Sequence, residues 1–314
     1  MMRKLLCVVA VLLLPSSVLA QSCNFNISTV AFGNVDTLSG APTDTTATLA
    51  INCSGLALTT VRICPSIGAG SGGATASARQ MTSGGSTLNY QLYQDAGRTV
   101  VWGSYNWGLP GTPPTIDLPI ALNGTGSTNV TIYGRVFGGQ GTATPGSYVA
   151  NFSTSDDDFI YATLGVLPCP NVIVIPLHAH PTFAATASVL ANCNVVAHDI
   201  NFGSQGVLTA NVDASAQLTV DCTPGTNYNV GLDGGHANAA PSARLMSLGA
   251  QTITYGLYRD AARTLAWGNT IGTNTAAGTG SGAAQVLSVY GRVPPQTTPS
   301  AGTYSDTIVV TVTY

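Results

Sequence analysis

Leu88–Gly103 reads LNYQLYQDAGRTVVWG, and Ile253–Gly268 reads ITYGLYRDAARTLAWG. The shared pattern L-Y-x-D-A-x-R-T-x-x-W-G is long and ungapped, so the chain carries the same unit twice. Matches continue on both sides. Ala31-Phe32-Gly33 answers to Asn201-Phe202-Gly203, and the stretch ending at Cys53 answers to that ending at Cys222. Tyr133-Gly134-Arg135-Val136 answers to Tyr290-Gly291-Arg292-Val293, and Pro145–Tyr148 to Ser300–Tyr304 with a one-residue slip. Copies of about 130–150 residues mean tandem domains, since solenoid repeats run at about 20–50. Within each copy, short alternating stretches such as Asn89–Tyr93 are punctuated by turn residues, and Asp95-Ala96-Gly97-Arg98 reads as a hairpin turn. This spacing predicts antiparallel β-sandwiches with one buried face per sheet.

Composition agrees. Of 314 residues only 7% are charged; all thirteen acidic residues are Asp, and the single Lys is Lys4. A chain without Glu and nearly without Lys lacks the straight-chain residues that favour helices. With 45% of residues apolar it can bury a core, and that core is expected to be all-β.

Residues 1–20 read as a signal peptide: Arg3 and Lys4, an apolar run Leu5–Leu14, and Val18-Leu19-Ala20 before cleavage at Gln21. The remainder holds eight Arg against thirteen Asp, a formal charge of −5, which suits no nucleic acid. An exported chain with six further cysteines is expected to form disulfides. The repeat aligns Cys23 and Cys53 with Cys193 and Cys222, so 23–53 and 193–222 are the expected bridges. Cys64 and Cys169 have no counterpart in the second copy and are left for each other. The expected organisation is residues 21–170 as an N-terminal domain, 171–189 as a linker and candidate donor segment, and 190–314 as a C-terminal domain.

The early Cys, the F-G pair, the L-Y-x-D-x-x-R-T-x-x-W-G block, the Y-G-R and the C-terminal Thr/Val strand together resemble the spore coat protein U domain family, over nearly the whole mature chain. That family includes subunits of archaic (Csu-type) chaperone–usher pili, and a two-domain member resembles a tip adhesin. The resemblance implies immunoglobulin-like pilin sandwiches, the C-terminal one lacking its last strand. It implies a strand supplied by an adjacent pilin subunit, and before that by a periplasmic pilus chaperone, with an outer-membrane usher as assembly partner. It also implies a cell-surface location at the pilus tip of a Gram-negative bacterium, and attachment to an abiotic or host surface.

Only Gln21 and Ser22 precede Cys23 after the expected cleavage, too few to span a sheet edge at about 3.3 Å per residue. The mature chain is therefore expected to accept a strand and not to donate one. Its acceptor edge is assigned to the last alternating segment, with Ile308, Val310, Val312 and Tyr314. Between the copies, Phe183, Ala185, Ala187 and Val189 alternate, so this segment, or Val172–Ile175, is a candidate to complete the first domain in cis.

Chemistry is sparse. The first domain has neither His nor Glu, which excludes His-based nucleophilic catalysis within it, and the chain is not expected to be an enzyme. His178-x-His180 lies in the linker, and Asp156-Asp157-Asp158 reads as a solvated acidic loop; no metal and no cofactor is expected. Asp95/Arg98 and Asp260/Arg263 read as ion pairs bracketing hairpins, and Trp102 and Trp267 as core. The copies differ most between the Trp and the Y-G-R, where the first is eight residues longer. The extra residues lie in Gly103–Pro119, with Tyr105, Trp107, Leu109 and Pro110. Another difference is the stretch after Ser153, with Phe159, Ile160, Tyr161, Leu164, Val166 and Leu167. These apolar residues, Tyr105 to Pro110 with Phe159 and Ile160, are the expected surface-binding set. A structural coat protein and a secreted carbohydrate-binding module are the alternative readings.

Overall fold

The computed structural model describes residues 21–163, 169 and 176–314. The expected signal peptide, Leu164, Val166, Leu167 and Val172–Ile175 lie outside the described residues. Among those described there is no helix. The first half contains β1 (Ser22–Ile27), β2 (Val30–Val35), β3 (Thr43–Ser54), β4 (Thr60–Ile67), β5 (Arg79–Ser83), β6 (Ser86–Tyr93), β7 (Ile116–Pro119), β8 (Thr125–Val136), β9 (Gly146–Phe152), β10 (Asp157–Thr163), β11 (Leu177–Ala179) and β12 (Phe183–Val189). The second contains β13 (Cys193–Ala197), β14 (Val212–Cys222), β15 (Asn227–Leu232), β16 (Arg244–Leu248), β17 (Gln251–Tyr258), β18 (Ala276–Thr279), β19 (Gln285–Val293) and β20 (Val310–Thr313).

The first sandwich packs the sheet β1-β3-β8-β6-β5-β9-β12-β2 against β11-β10-β4-β7; the second packs β13-β14-β19-β17-β16 against β18-β15-β20. Pairings are antiparallel except that of β12 with β2. Each half has its own apolar core. Within the expected linker and candidate donor segment 171–189, Leu177–Ala179 and Phe183–Val189 are strands of the first sandwich's sheets.

The repeated motifs hold equivalent joints. The Gly of each Y-G-R leaves room for the Phe of the F-G pair: a Cβ on Gly134 would stand 2.9 Å from the Phe32 ring, and one on Gly291 would stand 2.7 Å from the Phe202 ring. Trp102 and Trp267 are buried, and their indole N–H groups donate to the carbonyls of Pro65 and Val230 at 2.8 and 2.9 Å. The hairpin charges do not pair as expected. Asp95 accepts hydrogen bonds from the backbone of Thr99 and Val100, and Asp260 does the same for Thr264 and Leu265. These bonds close a turn in which Arg98 and Arg263 take φ of 55° and 60°. The two arginines reach instead to Asp44 and Asp213, each already held bidentately by the Y-G-R arginine, Arg135 or Arg292.

One repeated residue escaped the sequence reading. Arg79 and Arg244 are both fully buried. Arg79 donates to the carbonyls of Ile67, Gly68 and Trp102 at 2.7, 2.7 and 2.8 Å, and to the Gln91 side chain. Arg244 does the same for Leu232, Asp233 and Trp267. Each guanidinium therefore gathers buried carbonyls from a strand end and the loops beside it. Burial pulls the Arg79 pKa down to about 10, so it stays cationic at neutral pH.

All three disulfides form as expected: Cys23–Cys53, Cys64–Cys169 and Cys193–Cys222. The first and third join directly opposed residues of neighbouring strands. Their sequence separations of 30 and 29 correspond to roughly 3–4 kcal/mol each in the loop-entropy model.

Replacing Arg79 by Met leaves at least three buried carbonyls unpaired, so Arg79→Met is expected to lower the stability of the first sandwich by about 3 kcal/mol or more. The urea midpoint measures this, and an unchanged midpoint contradicts the role assigned to the guanidinium.

Candidate functional site: an open groove in the second sandwich

The two copies differ most where one strand is concerned. In the first, β12 lies between β9 and β2: Phe183 to Val189 pair antiparallel with Phe152 to Gly146, and Ala185 to Val189 run parallel to Val30 to Val35. Its inward side chains Phe183, Ala185, Ala187 and Val189 are buried, and Phe183 stacks on Phe152 at 4.1 Å. In the second, the segment matching β2, residues 199–205, belongs to no strand, and the segment matching β9 makes a single ladder pairing with its neighbour, the Ser247–Ser305 bridge.

Between those two segments lies an open groove made of two adjoining cavities of about 540 and 620 Å³. Ile200, Phe202, Met246 and Tyr304 line both; Leu208, Ile253 and Val293 line the first, and Leu232, Tyr255, Ile308 and Val310 the second. Residues sealed in the first sandwich are only half-buried here: Phe202 against Phe32, Met246 against Met81, Ile253 against Leu88. Half-buried apolar side chains between two segments that belong to no strand offer both side-chain burial and backbone hydrogen bonds to an extended chain.

The last segment contributes part of this lining. Ile308 and Val310 line the groove, whereas Val312 packs on the core beside it and Tyr314 points its hydroxyl to Asn192. β20 pairs with β15, and its other edge has no partner among the described residues. Polar side chains line the groove as well, among them Asn201, Gln205, Gln217 and Asp306, and Asp306 accepts a hydrogen bond from the Tyr255 hydroxyl at 2.7 Å. Burial first, and that carboxylate second, raise the Tyr255 pKa.

The expected surface-binding set in the first half divides. Phe159 is fully buried, edge-on to Phe25, and cannot touch a surface; its place on a strand between two sheet partners puts it in the core. Ile160 and Tyr105 are half-buried against the Cys64–Cys169 bridge. Trp107, Leu109 and Pro110 are half-buried in a loop folded back at the Gly68 end of β4, where the Ser104 hydroxyl accepts from the Asn106 and Trp107 amides. The most exposed large apolar residues of the first half lie elsewhere: Leu56 is 64%, Leu58 75% and Leu122 80% exposed. They sit on two loops tied together by backbone bonds from Gly55 to Gly124 and from Leu58 to Ile120. These loops flank the Thr60 end of β4, one strand length of about 23 Å from the Trp107 loop. The chain leaves this sandwich at Val189, paired with Gly146, far from the Ser54–Thr125 end that carries the leucines. Three scattered leucines in Gly/Thr-rich stretches gave no periodic signal in the sequence.

The Asp156–Asp158 run is not the solvated loop expected. Asp157 is fully buried, and neither carboxylate oxygen makes a well-formed hydrogen bond among the described residues; its pairing with Ile67 corresponds to that of Val310 with Leu232. Asp158 meets His178 at 2.7 Å and the Asn106 amide at 2.7 Å. No group of three metal-ligating side chains occurs among the described residues.

Two tandem pilin-like sandwiches, one closed by a strand of its own chain and one open, define the class of protein. The chain belongs to the Spore Coat Protein U domain family, whose model matches residues 9–153 and 179–311. Protein U of Myxococcus xanthus is 36% identical over 128 residues, covering 37% of this chain and 71% of that protein. The fold is similar to that of a chain in the CsuC–CsuE chaperone–tip adhesion subunit pre-assembly complex of archaic Csu pili from Acinetobacter baumannii. There the TM-score is 0.53 at 17% identity, over 93% of this chain and 100% of that one. The CupB6 tip adhesin of Pseudomonas aeruginosa also matches, at TM-score 0.36 and 12% identity, over 92% and 93% of the two chains.

Burial lifts the Asp157 carboxyl to about 8. A carboxyl whose folded pKa stands above its unfolded value takes up a proton on folding, so stability is highest at low pH and falls as pH rises from about 4 through 8. Paired carboxylates such as Asp44 and Asp213, held below the usual range by their arginines, titrate at lower pH. Between pH 5 and 8 the unfolding free energy is expected to fall by up to about 1.4 kcal/mol per pH unit. Asp157→Val should flatten that slope; a slope that persists in the variant contradicts the assignment.

Proposed function

We propose that this chain is the tip adhesin subunit of a chaperone–usher pilus. The observation that carries the proposal is the contrast between the copies: the groove filled by β12 in the first is open in the second. An open pilin groove is what a periplasmic chaperone, and then the strand of an adjacent pilin, would fill; an outer-membrane usher would mediate that exchange. The first sandwich, already complete, is free for attachment to an abiotic or host surface and for biofilm formation. Export through the periplasm to the cell surface of a Gram-negative bacterium follows from the same reading, which needs no catalysis.

For the contact surface, exposure favours Leu56, Leu58 and Leu122, at the end of the first sandwich remote from the second. Tyr105, Trp107, Leu109 and Pro110 flank β4 at its other end and are the weaker candidates. Affinity per copy would be small and would multiply over many pili. The family description favours a second reading, a polymerised coat, but a coat subunit has no need of exposed leucines on its remote loops.

Co-expressed with a pilus chaperone, the full chain is expected to co-purify with it one to one, and a chain ending before Thr307 is not. A full chain that stays monomeric, stable and free of chaperone contradicts the pilus reading. In an attachment assay on polystyrene, Leu58→Ser with Leu122→Ser is expected to cost at least as much retention as Trp107→Ala with Leu109→Ala, with unfolding midpoints unchanged. The reverse ranking returns the contact to the Trp107 loop.

A further inference from the structure

We infer that Asp306 is a selectivity element of the second groove: it favours an incoming strand that presents a hydroxyl at one inward position and rejects a strand that presents a carboxylate there. The inference rests on the reading of the groove as a strand acceptor and goes on to specify the strand.

The register comes from the first sandwich. Thr82 pairs with Val149 as Ser247 pairs with Ser305. Tyr148 and Tyr304 each donate their hydroxyl to the carbonyl four residues back, Thr144 and Ser300, at 2.7 and 2.9 Å. These two matches set Asp306 in the place of Ala150. Ala150 lies opposite Ala185 of β12, and both are fully buried. A strand entering the second groove in the same register places one inward side chain opposite Asp306, with Cβ atoms about 5 Å apart.

The carboxylate at that point is incompletely satisfied. Its Oδ2 accepts from the Tyr255 hydroxyl at 2.7 Å, and its Oδ1 from the amides of His236 and Thr307 at 2.9 and 2.8 Å. A carboxylate offers about four lone-pair sites, so one remains for water while the groove is open. A covering strand removes that water. Alanine or valine opposite then leaves the site dry, serine or threonine fills it with a hydroxyl donor, and aspartate adds like charge. The chain's own β12 carries Ala185 at this position and offers no donor. The groove is therefore biased against the β12 of a second copy and towards a strand of different sequence.

The test uses the full chain and fluorescein-labelled peptides of sequence Phe-Ala-Ala-Thr-Ala-Ser-Val, that of residues 183–189, with the third residue Ala, Ser, Val or Asp. By anisotropy the Ser peptide is expected to bind about tenfold tighter than the Ala peptide, and the Asp peptide at least about tenfold more weakly. Asp306→Asn, which keeps an acceptor for the same amides, should restore the Asp peptide to the Ala peptide's affinity. Should that variant fail to fold, the wild-type series alone decides. Equal binding of all four peptides overturns the inference and leaves the groove as a strand acceptor. No binding of any peptide to a folded chain overturns the acceptor reading, and this inference with it.

Discussion

A β-sandwich short of one strand cannot close its own core. The rest of this molecule depends on how that constraint is met twice in one chain. In the first copy, seven residues beyond the last homologous strand fold back between β9 and β2, and their small alternating side chains seal the core. In the second copy no described segment lies there, and phenylalanine, methionine and isoleucine remain half-exposed. One unit is closed by its own chain, and the other is left open.

The open unit still needs a rigid frame, and the buried arginines supply it. Arg244 ties Leu232, Asp233 and Trp267 together through their carbonyls, as Arg79 does in the closed copy. The disulfide between β13 and β14 and the Asp213 ion pairs fix the opposite side of the sheet. A groove held by covalent and charge-assisted contacts can stay open without collapsing, which preserves both its backbone hydrogen-bonding groups and its apolar floor.

Much of this was legible in the sequence because the duplication acts as an internal alignment. The sandwich class, the three disulfides, both core tryptophans and the alternation of Phe183–Val189 follow from comparing one copy with the other. What the comparison could not supply was three-dimensional proximity. Asp95 and Arg98 are neighbours in the turn, yet the aspartate caps amides and the arginine reaches a different strand. Phe159 lies in a stretch unique to the first copy, which made it look like a binding residue. It is core, because strand pairing on both sides of β10 buries every inward position. The open edge was assigned to the last segment alone, whereas much of the groove's lining comes from residues near 200 and 303; of the four edge residues named there, Ile308 and Val310 line it.

Hydrogen–deuterium exchange on the isolated full chain distinguishes a closed first sandwich from an open second one. Amides of Ala184–Val189 should be protected, while those of 199–206 and 300–306 exchange fast and slow down only when a partner strand is bound. Equal protection of the two regions in the isolated chain would mean that the second sandwich is already complete, and would contradict the account.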